Sequence, residues 1–108
     1  MKWMLPALAL TLTCLTSNPA TAAVNIYGPG GMSCDKYNQS PDNLKDDYKF
    51  WGQGYMSGMN SMKNLDLTRG KDQTAIFNWI DSYCKSNPQS TYAGAVDSLI
   101  LDINKPAS

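Results

Sequence analysis

The sequence predicts an all-α fold: a small, disulfide-stapled bundle of three main helices with a short helix ahead of them. Two observations predict it. Apolar residues recur at helical spacing in three separate segments, each bounded by capping or breaking residues. The chain also opens with an export signal and then keeps two cysteines, so a covalent staple suits a domain of this size.

The first residues, MKWMLPALALTLTCLTSNPATAA, set one lysine ahead of an apolar run and end in small residues. This is the pattern of a cleaved secretory signal peptide, assigned to residues 1–23, and the expected compartment is the periplasm. The apolar run from Leu5 to Leu15 is too short to span a bilayer, so no stable membrane insertion is expected. Residues 24–108 then form a single helical domain. In an oxidising compartment its two cysteines, Cys34 and Cys84, most simply pair. Closing a loop of that length contributes about 4 kcal/mol by the chain-entropy account.

All nine acidic residues are aspartates, and the chain has no histidine. Beyond the signal, eight basic side chains face nine acidic ones, a formal charge of −1. Near-neutrality argues against nucleic acid as a partner. In acid the carboxylates lose their charge while the cations stay, so self-repulsion rises.

Each element has its own signals. Val24 to Met32, VNIYGPGGM, reads as an extended or turning surface arm without regular structure. Ser33 is suited to cap a short helix that carries Cys34. Ser40, Pro41 and Asp42 mark the start of a long helix, with Ser40 at the N-cap. Along it Leu44, Tyr48, Trp51, Tyr55, Met59 and Met62 form an apolar stripe. Phe50 and Met56 lie off that stripe and are candidates for apolar residues that face outward.

The same helix holds Gly52, Gly54 and Gly58, each costing about 0.8–1 kcal/mol relative to alanine. Two explanations stand open. Gly54 and Gly58 could make room for a crossing helix. Alternatively, a deliberately weak helix could loosen and expose Trp51, Tyr55, Met56, Met59 and Met62 to a client.

Asn64 to Lys71 reads as a polar connection, and Asp72 caps a third helix. There Ala75/Ile76, Trp79/Ile80 and Tyr83/Cys84 form a broad apolar arc, as expected of the most buried helix. Asn87-Pro88 ends it. Tyr92, Ala95, Val96, Leu99, Ile100 and Ile103 give the last helix one apolar face. The staple would join the first helix to the end of the third.

The sequence shows no catalytic constellation, and the expectation is a non-enzyme without cofactor or metal. No G-x-S-x-G turn or phosphate-cradling loop is present. Asp46 and Asp47 are adjacent and so point to different sides of a helix. Asn64, Asp66 and Asp72 hint at an oxygen-ligand loop, but without EF-hand spacing a turn and a cap explain them better.

Met32-Ser33-Cys34 and Tyr83-Cys84-Lys85-Ser86-Asn87-Pro88-Gln89 resemble the HdeA/HdeB family of small periplasmic acid-stress chaperones. The resemblance implies a homodimer near neutral pH that loosens in acid and holds unfolded proteins through exposed apolar surface. It also implies a disulfide that maps onto Cys34 and Cys84. The middle segment, Trp51-x-x-Gly54-Tyr55-x-x-Gly58, is similar instead to periplasmic immunity proteins that neutralise type VI secretion amidases. That resemblance implies an effector enzyme as partner, with Phe50, Met56 or the Asn64 to Lys71 connection as contacts. A structural subunit of an envelope assembly fits the composition equally and has no motif of its own. The candidate protein-binding residues are therefore Phe50, Trp51, Tyr55, Met56, Met59 and Met62.

Overall fold

The structure, a computed structural model, describes residues 24–107; the expected signal segment lies outside them. Among the described residues, four helices follow a short 3-10 turn at Gly28–Gly31: α1 (Cys34–Gln39), α2 (Asp42–Lys63), α3 (Gln73–Ser86) and α4 (Tyr92–Ile103). An isolated antiparallel bridge pairs Ser33 with Thr91. The all-α fold and the staple are as the sequence predicts, while the arm differs: its glycines fold into the 3-10 turn rather than staying irregular.

Local chemistry explains most boundaries. Ser33 caps α1 by accepting from the Lys36 amide at 3.0 Å, and Thr91 caps α4 by accepting from the Gly94 amide at 2.9 Å. Asp72 reaches the Ala75 amide at the start of α3. The N-cap of α2 is Pro41, not Ser40, and it offers no side-chain acceptor. Ser40 turns the other way, its hydroxyl donating to the Lys36 carbonyl at 2.8 Å. A short helix just upstream has its own orphan carbonyls, and they compete for that serine.

The central helix is α4. The 3-10 turn, α1, α2 and α3 all pack on it, and Tyr92, Ala93, Ala95, Val96, Leu99 and Ile100 are buried along it. The sequence points to α3 for this place, but α3 leaves Ala75 exposed and Trp79 and Tyr83 half-buried. Small residues decide the difference: Ala93, Gly94 and Ala95 let neighbours approach α4 from several sides, whereas bulky aromatics hold part of α3 in solvent.

The covalent staple closes one end. Cys34 and Cys84 are fully buried and form a disulfide with a Cα–Cα distance of 4.8 Å, within the usual range for bridged cysteines. Hydrogen bonds reinforce it: the Cys34 amide donates to the Ser90 carbonyl at 2.7 Å, and the Tyr92 amide donates to the Met32 carbonyl at 2.8 Å. Beside the staple Tyr37, Tyr48 and Tyr92 pack as a triangle, with ring centroids 5.1, 4.9 and 5.2 Å apart. Tilted and edge-on arrangements like these suit the ring quadrupoles.

Candidate protein-binding face

Helix α2 is buried along a different line from the one its apolar pattern marks. The residues it buries are Tyr48, Gly52 and Met56. At 100° per residue that line lies roughly 60° round the helix from the mean of the Leu44 to Met62 stripe. The consequence is an apolar edge that the domain's own core covers only in part.

The glycines show why the helix sits this way. A Cβ on Gly52 would lie 3.5 Å from Tyr92 Cε2, 3.6 Å from Phe77 Cε1 and 3.8 Å from Val96 Cγ2. Gly52 is thus the close-approach residue, and its missing side chain lets the aromatic core reach α2. Gly54 and Gly58 do not admit a crossing helix: a Cβ at either position would meet nothing within 4 Å. The periodicity puts Gly52 and the other two on opposite shoulders of the stripe, and the core took the Gly52 shoulder.

The candidate residues therefore divide. Met56 is not outward-facing; it is only 4% exposed and packs in the core. Phe50 faces solvent as expected, at 67% exposed, and Met62 is more open still at 88%. Trp51, Tyr55 and Met59 are partly buried against the core. From Phe50 to Met62 the helix carries no charged residue, although its outer side meets solvent. Gly54, Tyr55, Gly58, Met59 and Met62 line a shallow groove of about 390 Å³ that Lys63 completes. The two glycines form its floor.

Two tethers hold this face in place. Trp51 stacks on Tyr55 with centroids 4.7 Å apart, and its Nε1 donates to the Tyr27 carbonyl at 2.8 Å. The Tyr55 hydroxyl donates to Asp97 Oδ1 at 2.8 Å, tying α2 to α4. Burial first, then this bond and the nearby carboxylate charge, push the Tyr55 phenol up to about 12. A second tyrosine tie lies deeper, where Tyr37 donates to Asp81 and joins α1 to α3. Burial followed by the Asp81 bond and charge raises the Tyr37 phenol far above its ordinary value, and Lys45 sits over its ring, 5.3 Å from the centroid.

Beyond the groove the chain turns at Asn64, in the left-handed region at φ 56°. The Asp66 carboxylate then organises the connection, accepting from the Thr68 amide and hydroxyl, the Gly70 amide and Asn60 Nδ2. The Thr68 hydroxyl, and then the Gly70 amide, hold its carboxyl below the usual carboxylate value. Those bonds are a turn's bonds, and among the described residues no cluster of potential ligands forms a metal site. Asn104 locks the connection to the end of α4 by donating to the Leu67 carbonyl at 2.8 Å. Sequence reasoning passed over Asn60 and Asn104 because an amide's partner is set by tertiary placement, not spacing.

Comparison with protein-family models, curated proteins and solved structures finds no match to the chain. Among the described residues, no helix is long and apolar enough to cross a membrane.

Proposed function

We propose that the protein is exported to the periplasm, is not an enzyme, and works by holding other proteins as an acid-stress chaperone of the HdeA/HdeB kind. The observation that carries this reading is the uncharged outer face of α2, where Gly54 and Gly58 open an apolar groove that nothing in the described chain fills. A helix interior with two uncovered glycines forgoes about 2 kcal/mol relative to alanine. A partner that uses the groove accounts for keeping them.

Hydrogen bonds to carboxylates hold the helices that frame this face. Tyr55 and Tyr37 each donate to a carboxylate between helices, and such bonds are strong because the acceptor is charged. Asp66 supplies an acid dependence: its depressed carboxyl value means stability that is present at neutral pH and lost as pH falls through the folded value. Loosening α2 would then extend the groove towards Trp51 and the buried Met56.

The test is tryptophan emission and sedimentation of the mature protein from pH 7 to pH 2, with aggregation of a denatured client followed in parallel. The expected result is reversible exposure of Trp51 and suppression of aggregation in acid. A particle unchanged across that range would refute the chaperone reading. It would favour the immunity-protein alternative, for which solvent-facing Phe50, at the rim of a second groove with Gln53, Gln73 and Phe77, is the natural anchor into an effector enzyme.

A further inference from the structure

Helices α2 and α3 both pack on α4 and meet each other only lightly, so a cleft stays open between them. It holds two cavities, of about 310 Å³ and about 280 Å³, and Gln53 of α2 and Gln73 of α3 line both. Their side chains join across the cleft, Gln53 Nε2 donating to Gln73 Oε1 at 2.7 Å. Met56, Ile76 and Phe77, all buried, close the back.

The rest of the lining is polar and nearly free of charge. Ser57, Asn60 and Thr68 belong to the first cavity, Thr74 and Asn78 to the second. Lys71 is the one charged residue in the first, while Asp46 and Lys49 offset each other in the second. Surface positions of a helix favour strong helix formers. Serine, threonine and asparagine are weaker ones, yet α2 and α3 present all three types along this cleft.

Part of this set is committed to the fold. Asn60 gives its amide to Asp66 and takes the Leu67 amide, and the Thr68 hydroxyl donates to Asp66, which fixes that wall. The remainder is left free: among the described residues Gln53 Oε1, the Gln73 Nε2 hydrogens, the Ser57 and Thr74 hydroxyls and the Asn78 carboxamide have no partner. Carboxamides and hydroxyls both donate and accept, so the matching ligand does the same at several points and needs no strong charge. The Phe50 ring, 67% exposed, adds an apolar wall to the second cavity.

The geometry points to a saccharide site in the cleft between α2 and α3. A sugar ring has hydroxyls at its edge for the free amides and hydroxyls, and C–H groups on its face for Phe50. Cavities near 300 Å³ are at the small end for ligand sites, so each takes a single ring, and a ligand that fills both crosses the Gln53–Gln73 bridge. The site is independent of client holding, because the groove over Gly54 and Gly58 opens on another side of α2.

Side-chain amide resonances of the isotope-labelled mature protein read the cleft directly. The probes are cellotriose, fully N-acetylated chitotriose and, as an acidic sugar drawn to Lys71, trigalacturonic acid. The expected result is a saturable shift of the Gln53, Gln73 and Asn78 amides with at least one probe at millimolar concentration, while the Trp51 indole resonance stays in place. The double variant Ser57→Ala/Gln73→Ala, at two exposed positions, should keep its helical circular dichroism and bind that probe at least about fivefold more weakly, as expected for lost hydrogen bonds.

No shift with any of the three sugars overturns the proposal, and so does equal binding by the double variant. An uncharged tripeptide that moves the same amides when no sugar does also overturns it. Should the double variant lose its helical spectrum, Asn78→Ala, at another exposed position, takes its place under the same criterion.

Discussion

Gly52 and Gly54 sit two residues apart on one helix and meet opposite surroundings. Gly52 has the Tyr92 and Phe77 rings within ordinary contact of its absent Cβ, whereas Gly54 has nothing within 4 Å. The same residue type thus serves packing on one side of α2 and leaves surface open on the other. The inner side belongs to a closed end of the molecule with a buried disulfide and three mutually packed tyrosines. The outer side has an apolar groove and no charge over thirteen residues. Core packing thus lies on one face of the helix, and the face proposed for binding lies on the other.

The sharpest break of that comparison is at the closed end. Replacing Cys34 and Cys84 together by alanine is expected to remove about 4 kcal/mol, enough to unfold much of a domain this small, and urea denaturation followed by circular dichroism measures it. Next in size is Gly52→Leu. Its side chain has no space beside Tyr92 and Phe77, so a loss of about 1–3 kcal/mol is expected, while Gly54→Leu should leave the denaturation midpoint unchanged or raise it. A midpoint that falls equally in both would erase the distinction between the faces.

Smaller effects refine the picture. Gly54→Ala and Gly58→Ala should each stabilise by about 0.8–1 kcal/mol, because the methyl group meets only solvent and the helix gains propensity. Tyr92→Phe should stabilise by up to about 1 kcal/mol, since its hydroxyl is buried with no hydrogen-bond partner and an unmet buried donor is unfavourable. The smallest effect is alkaline. Tyr55, raised to about 12 in the fold, contributes stability that is complete below its ordinary value and lost as pH rises through the folded value. Tyr55→Phe should flatten that part of a melting-temperature curve between pH 9 and pH 12.

Much of the fold was legible because its signals are local. The Ser33 and Asp72 caps and the apolar faces of α3 and α4 each rest on residues close in sequence. The cysteine pair needed only compartment and count. The rotation of α2 was not legible: Tyr48, Gly52 and Met56 form as regular a line as the apolar stripe does, and the choice between them depends on which face Tyr92 and Phe77 reach. Met56 was misplaced for that reason. The regular 3-10 geometry of the arm was not legible, because the contact of Gly28 and Gly30 with Trp51 joins residues more than twenty apart in sequence. The site was half visible: the sequence marks Phe50, Trp51, Tyr55, Met59 and Met62 as notable, but not that Gly54 and Gly58 would be left bare to form a groove between them.

The most direct test of the central claim is the double variant Gly54→Lys/Gly58→Lys, measured for melting temperature and for client holding at low pH. Lysine keeps its charge in acid and is a far better helix former than glycine. The expected outcome is a protein as stable as the parent or more so that no longer suppresses client aggregation. A variant that melts earlier, or one that holds clients as well as the parent, would contradict the claim that this uncovered face exists for binding.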